Sequence, residues 1–433
     1  MARGILVAIA AILSPAVGEM LSFILANARW LLAGLLMCLF SGFGQTYFIS
    51  LSSDAIRGAL NLSHGQFGLG YGAATLASAF ALSHFGKLVD VWSVRRSAVT
   101  TLIGLSLACA LMATASLSIW LLVPAIFGLR FFGQGFCGHV AMTSAGKWYS
   151  ANRGKAVSIV GLGFPLSESF MPAVAALMIS GLGFSYLWAG GAVFIGMIAI
   201  PVIFFLLRVE REPNLASTDA VSEDGNHQKA YDWRRADVLK APEFYIVQMA
   251  TLCTPFMVTA YFFNQQHLGS IMEWDLSVMV ASMTVFAVAQ VVTSLMSGWI
   301  IDKWSSRVML PVFLLPLAVA LCLPVVFKTS IIIPLVYIGL GMTAGASATQ
   351  AGALWPELFG TRFLGDVRAL IYAVMVASTA ASPFLTGLLI GLGIPFDLQL
   401  ACFGAFCLLA SGLMLLIQPN LAGLNSRLST KNN

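Results

Sequence analysis

Three observations in the sequence predict an all-α membrane protein with twelve transmembrane helices in two pseudo-symmetric six-helix bundles. Hydrophobic residues fill 59% of the 433 positions and charged residues only 9%, against roughly 25% charged in soluble domains. Water is therefore not the main solvent of this chain. Apolar runs of the ~20 helical residues that cross a ~30 Å hydrocarbon core recur along it, with short polar breaks between them. A charged motif in the first half also returns in register in the second.

The spanning helices are expected near 30–51, 64–85, 97–116, 118–143, 155–180 and 183–207, then 244–266, 276–297, 307–327, 330–354, 366–390 and 395–418. The first six make a bundle over 30–207 and the last six a bundle over 244–418. Between them lies the one long polar stretch, 208–243, whose mixed charges with Pro213 and Gly225 read as a linker. Residues 419–433 form a tail. Residues 1–29 contain another apolar stretch, interrupted by Pro15 and Glu19, without a credible signal cleavage site. An interfacial helix, a thirteenth span and a segment upstream of a start at Met20 all fit it, and it is expected to stand apart from the twelve-helix core.

Charge orients the bundle. Lys87, Arg95, Arg96, Lys147, Arg153, Lys155, Arg234, Arg235, Arg307, Arg362 and Arg368 fall in one alternating set of loops, while the other set holds Arg57 and Lys328. The positive-inside rule places the first set, the linker and the tail in the cytoplasm. The expected location is a bacterial inner membrane, with the lipid bilayer as solvent. The net charge of +5 comes with no basic stripe interleaved with aromatics, so no nucleic-acid partner is expected. The seven cysteines all lie in apolar runs without metal-ligand spacing and read as packing residues. No metal and no cofactor are expected.

The repeat is the most specific feature. Gly86, Asp90, Trp92, Ser93 and Arg95 return as Gly298, Asp302, Trp304, Ser305 and Arg307, all 212 positions later. Both copies are expected in the loop after the second helix of their half, so the halves are parallel structural repeats. Weaker matches keep the same order: Trp148 to Lys155 with Trp355 to Arg368, and Pro172 with Pro383.

On these residues the chain resembles the major facilitator superfamily over about 30–418. The segment from Gly86 to Arg96, GKLVDVWSVRR, is similar to the family's loop signature G-x-L-x-D-x-x-x-R-[RK], with Ser93 where a glycine is usual. The resemblance implies that Gly86, Asp90, Arg95 and Arg96, with Asp302 and Arg307 in the second half, form a conformational latch between the halves. An Asp near a helix end can also accept backbone N–H bonds and pair with an Arg one turn away. The stretch from Trp355 to Arg362, WPELFGTR, is similar to bacterial monocarboxylate or oxalate/formate-like porters.

Ionisable groups inside hydrocarbon are costly unless paired or wetted, so the few present are the best candidates for chemistry. Arg130 lies in GLRFFGQG, which resembles the family's R-x-x-x-G motif, and Glu168 in the Gly/Pro-rich GLGFPLSE. A rise of 1.5 Å per residue places them about 25 and 20 Å deep, close enough in depth to meet. The repeat puts Gly341 or Met342 opposite Arg130 and Thr379 or Ala380 opposite Glu168. Neither charge is thus demanded by the common packing scheme. Glu168 is expected to titrate protons, and Arg130 to tune it or engage an anion; a structural ion pair between the fourth and fifth helices is the alternative. Candidate polar lining comes from Gln45, Tyr47, Gln134, His139, Tyr261, Asn264, Gln290, Gln350 and Tyr372, each equally suited to bonding a neighbouring helix. Gly42, Gly44, Gly65, Gly68, Gly70, Gly161, Gly163, Gly339 and Gly341 permit close helix crossings.

No P-loop, nucleophile cluster or paired carboxylates occur, so neither an enzyme nor a nucleotide-driven pump is expected. The resemblance implies a secondary transporter, symport or antiport, that moves a small-molecule substrate by alternating access, with protons as the coupling ion and an organic anion favoured by Arg130. A proton-driven exporter of amphipathic compounds and a non-transporting solute sensor are the rival readings. A monomer contains the whole pathway.

Overall fold

The computed structural model describes residues 15–86, 88–149, 153–209, 211, 233–360, 364–422 and 424. The first bundle comprises α1 (Pro15–Phe40, continued by Ser41–Gly44 and Thr46–Ile49), α2 (His64–Phe85), α3 (Val94–Ala113) and α4 (Ile119–Gly128, Leu129–Cys137 and Gly138–Trp148). It is completed by α5 (Arg153–Gly161 and Gly163–Leu182) and α6 (Phe184–Phe194, Ile195–Ala199 and Ile200–Leu206). The second bundle comprises α7 (Pro242–Phe263), α8 (Leu276–Lys303), α9 (Leu315–Val326), α10 (Ile333–Phe359), α11 (Leu364–Gly391) and α12 (Phe396–Ala422).

Ten of these are long and apolar enough to cross a membrane by length and composition. The other two have identifiable causes. The α2 sequence is diluted by glycine, serine and histidine, and it begins cleanly because Ser63 and Gln66 form a reciprocal capping box, with Gln66 N donating to Ser63 Oγ over 3.1 Å and Ser63 N to Gln66 Oε1 over 2.9 Å. The α9 span, expected from 307, is split into Ser306–Met309 and Leu315–Val326. Pro311 and Pro316 lie in or beside the irregular segment, and each lacks the N–H a continuous helix needs.

Two expected boundaries move. Helix α1 runs unbroken through residue 30, so residues 15–29 are its first turns. Arg29 secures them to the first bundle: its Nε donates to Leu206 O over 2.9 Å and its Nη2 to Phe205 O over 3.1 Å, at carbonyls of the last turn of α6. Residues 1–14 lie outside the described set, as does most of the linker. Helix α8 reaches Lys303, so Gly298 and Asp302 belong to its last turns rather than to a loop. The linker's final part docks on the second bundle through Trp233 N donating to Phe359 O over 3.0 Å.

Glycines set the seams. A Cβ on Gly68 would lie 2.4 Å from Pro383 O, and one on Gly72 2.6 Å from Ala380 O, so α2 and α11 touch backbone to backbone across the two bundles. Helices α5 and α8 form the second seam, where Thr284 Oγ1 donates to Ser169 O over 2.9 Å. Leu107, Leu177, Met197, Leu295, Leu409 and Leu416 are among the many large apolar side chains left exposed. Such a continuous apolar surface is foreign to a soluble monomer and suits lipid contact. The end of the molecule that carries the linker is called the linker face below, and the opposite end the far face.

Candidate functional site

The site is built where two helices depart from regularity at the same level. Helix α1 narrows to a 3-10 turn over Ser41–Gly44 and then breaks at Gln45, whose φ of −80° and ψ of 150° are extended. Opposite it, α4 widens to a π-helix over Leu129–Cys137, a form frequent at functional sites. The two backbones cross in contact: a Cβ on Gly44 would lie 2.1 Å from Leu129 O and 2.4 Å from Gln134 N. Only glycine fits there.

The break frees a carbonyl, and Arg130 takes it. The Arg130 side chain is buried, with Nη1 donating to Gly44 O over 3.2 Å and to Thr46 Oγ1 over 3.3 Å. Tyr71 OH donates to the same Thr46 Oγ1 over 2.9 Å, and its ring centroid lies 5.4 Å from Arg130 Cζ. Arg130 Nε is buried without a partner. The guanidinium is thus held by neutral groups and an aromatic face, with its positive charge uncompensated.

Glu168 is in the same position with the opposite sign: its Oε2 is buried without a hydrogen-bond partner. Its neighbour Ser167 shares a 2.9 Å hydrogen bond with Tyr47 OH, and Tyr47 lies within electrostatic reach of Glu168. The two charges therefore share a bundle and a depth but not a bond. Arg130 spends its hydrogen bonds on α1 instead, because the break there offers a bare carbonyl.

The other candidates separate into two groups. Gln45 sits at the break, half-buried, and Gln134 is half-buried in the π segment beside it. Tyr372 of α11 is 52% exposed and within electrostatic reach of Arg130 from the opposite bundle. Gln290 is half-buried on α8 with its Oε1 unpartnered. The remaining groups are engaged in packing. His139 Nε2 bonds Gly86 O over 3.0 Å at the end of α2. Asn264 Nδ2 donates to Thr386 Oγ1 over 3.0 Å, Gln350 Nε2 to Ser306 O over 3.4 Å, and Tyr261 is fully buried 5.7 Å from Tyr337, ring centre to ring centre.

Two polar clusters bring in residues that the sequence did not mark as candidates, Gln265 and Gln266 in one and Glu357 in the other. On the far side of the α1 break, Gln265 Nε2 donates to Ser50 Oγ over 3.1 Å and to Tyr47 O over 3.4 Å, and Gln265 Oε1 accepts from Tyr337 OH over 3.3 Å. Gln266 Nε2 donates to Leu51 O over 2.9 Å and its Oε1 accepts from Ser53 Oγ over 3.0 Å. These bonds stitch the two bundles together toward the far face. The polar run from Asn264 to His267 directly after α7 is the sequence signal that marks them. At the linker face, Glu357 accepts from Ser305 Oγ, from Ser306 N over 2.9 Å and Ser306 Oγ, and from Arg307 Nε over 2.6 Å. In the first copy of the repeat, Arg95 lies over the Phe204 ring at 5.3 Å and Arg96 over Trp92 at 4.3 Å. The Asp90 and Asp302 side chains lie outside the described residues.

Comparisons with known proteins agree with the fold. The chain is similar over 93% of its length, at 17% identity, to 97% of a bacterial homologue of the human lysosomal transporter Spinster in an inward-facing, unoccupied conformation, with a TM-score of 0.65. The same homologue in an inward-facing, occupied conformation gives 17% identity, the same coverage and a TM-score of 0.61. No curated protein matches the chain in sequence. The family description that matches does so over residues 30–280, more than half of the chain. With two six-helix bundles and a family match over more than half of its length, the chain belongs to the major facilitator superfamily of membrane transporters.

Proposed function

We propose that this transporter couples proton movement to the passage of a small organic anion by alternating access, in a bacterial inner membrane with its linker face and C-terminus in the cytoplasm. The observation that supports the reading is the pair of opposite charges, Arg130 and Glu168, held in one bundle without bonding each other, each with a buried polar atom, Arg130 Nε and Glu168 Oε2, that has no partner among the described residues. An unpaired buried charge persists in hydrocarbon only where a ligand or a proton completes it. Arg130 supplies the anion's counter-charge. Glu168, beside the Ser167–Tyr47 hydrogen bond, supplies a carboxyl that gains and loses a proton as the site is exposed to each side. Gln45, Gln134 and Tyr372 supply neutral hydrogen bonds to the solute, and the linker-face residues Gly86, Asp90, Arg95, Arg96, Asp302 and Arg307 govern the change between states. The chain works as a monomer.

The test is uptake of labelled small carboxylates by proteoliposomes, with and without an inward proton gradient. Gradient-driven accumulation is expected for the unaltered chain. Glu168→Gln should abolish accumulation while keeping exchange of internal for external substrate. A Glu168→Gln variant that accumulates substrate with unchanged pH dependence overturns the coupling role.

A further inference from the structure

The chain has five histidines, and two of them meet across the seam between the bundles. His64 heads α2 and His267 lies in the short helix Gln265–Met272 that follows α7; their ring centroids are 4.4 Å apart at an interplanar angle of 56°. They stand at the edge of the Gln265 and Gln266 network that closes the far face. A cavity of about 370 Å³ opens on them, lined by Asp54, Arg57, Gly58, Leu62, His64, His267 and Ser270.

We infer that His64 and His267 form a proton-binding site in the far-face gate, which takes protons from the solution on that side and opens the gate when it is occupied. The charges around it favour this use. Arg57, bonded to Asp54 over 2.9 Å, adds a third cation beside the two rings, with Asp54 as the single carboxylate lining the cavity. Glu273 lines a neighbouring cavity with Asp54. Helix α11, whose Gly387 packs against His64 O, brings no charged residue to the contact between Thr379 and Gly391. Two neutral imidazoles can touch here, but two imidazolium rings beside Arg57 repel each other, and the repulsion acts between the bundles.

The titration has the matching sign. Burial pushes His267 below its ordinary value, with Asp54 opposing and Arg57 reinforcing the shift. A group lowered in the closed state stabilises that state above its ordinary pKa, near 6.5, and the stabilisation is lost as pH falls from there toward the lowered value. Acid on the far side thus favours opening. Each unit of difference between the closed and open values is worth about tenfold in the open-to-closed ratio.

The experiment measures the distance between spin labels at Ala59→Cys and Ser277→Cys, exposed far-face positions on the two bundles, in the full chain in nanodiscs with Cys322→Ala and Cys402→Ala. Between pH 8 and pH 5 the open population should rise relative to the closed one by at least about tenfold. The response should be lost in the His64→Gln/His267→Gln double variant, and reduced in each single variant if the double one does not fold. Glu168→Gln should retain it, which separates this site from the coupling carboxylate. A pH-independent distance in the unaltered chain, or a full response in the histidine variants, overturns the proposal.

Discussion

Gly44→Ala tests the geometry of the site most directly. The added Cβ would lie 2.1 Å from Leu129 O, 2.4 Å from Gln134 N and 2.8 Å from Gly133 Cα. All three are backbone atoms, so no side chain can swing aside, and α1 and α4 must part by roughly 1 Å to reach ordinary contact. Such overpacking costs about 1–3 kcal/mol. The same movement stretches the 3.2 Å bond from Arg130 Nη1 to Gly44 O to roughly 4 Å, beyond any hydrogen bond, and a bond to a charged group contributes about 1.5–3 kcal/mol. The two effects together amount to about 2.5–6 kcal/mol. Thermal unfolding in nanodiscs should show Gly44→Ala several degrees below Gly58→Ala, the control at a position with nothing within 4 Å of its added Cβ. Uptake should fall by more than about tenfold, because the anchor of the guanidinium is displaced. Equal melting temperatures and equal uptake for the two variants would refute the crossing.

Other perturbations report on single contacts. Arg130→Lys keeps the charge but replaces a planar fork with a point donor that cannot serve Gly44 O and Thr46 Oγ1 in the same way; uptake should drop at least about tenfold, with a smaller fall in melting temperature than in Gly44→Ala, where overpacking adds to the lost bond. Glu357→Gln removes the carboxylate that gathers Ser305, Ser306 and Arg307, a cluster about 30% exposed; unfolding in nanodiscs should register a loss of about 1–3 kcal/mol, with substrate KM unchanged.

How much of this was legible in the sequence depends on which physical signal each feature leaves. Most spans announce themselves by hydropathy, and the helix expected at 64–85 is observed as His64–Phe85. Glycines at crossings were visible as residues but not as contacts: Gly44 faces Gln134 N and Gly68 faces Pro383 O, pairings that only the packed bundles define. Depth along a helix follows from a constant rise, so Arg130 and Glu168 were placed at similar levels. Their rotation about the helix axes does not follow from it, because the π turn of α4 changes the phase and the break in α1 creates an acceptor with no side-chain signature. His139 and Gln350 illustrate the converse case. A polar residue in an apolar run reads as lining, while each of these satisfies a backbone carbonyl at the linker face.

The break in α1 joins the candidate site to the far-face gate. Gly44 O binds Arg130, and three residues later Tyr47 O accepts from Gln265 Nε2 while Ser50 Oγ accepts from the same amide. A substrate that draws Arg130 away from Gly44 O releases one end of this short segment; opening the gate releases the other. Because Gln45 is extended and the following helix Thr46–Ile49 is a single turn, the segment moves as one piece and the two events share its displacement. At the linker face, Glu357 ties α10 to the segment Ser306–Met309 ahead of α9, and Arg307 Nη1 donates to Leu421 O over 3.3 Å within the same bundle. A double-mutant cycle between Arg130→Lys and Gln265→Ala, read as the open population of the far face, should therefore show coupling of about 0.5–3 kcal/mol, and one between Arg130→Lys and Glu357→Gln should be additive to within about 0.5 kcal/mol. Additivity in the first cycle would sever the site from the gate.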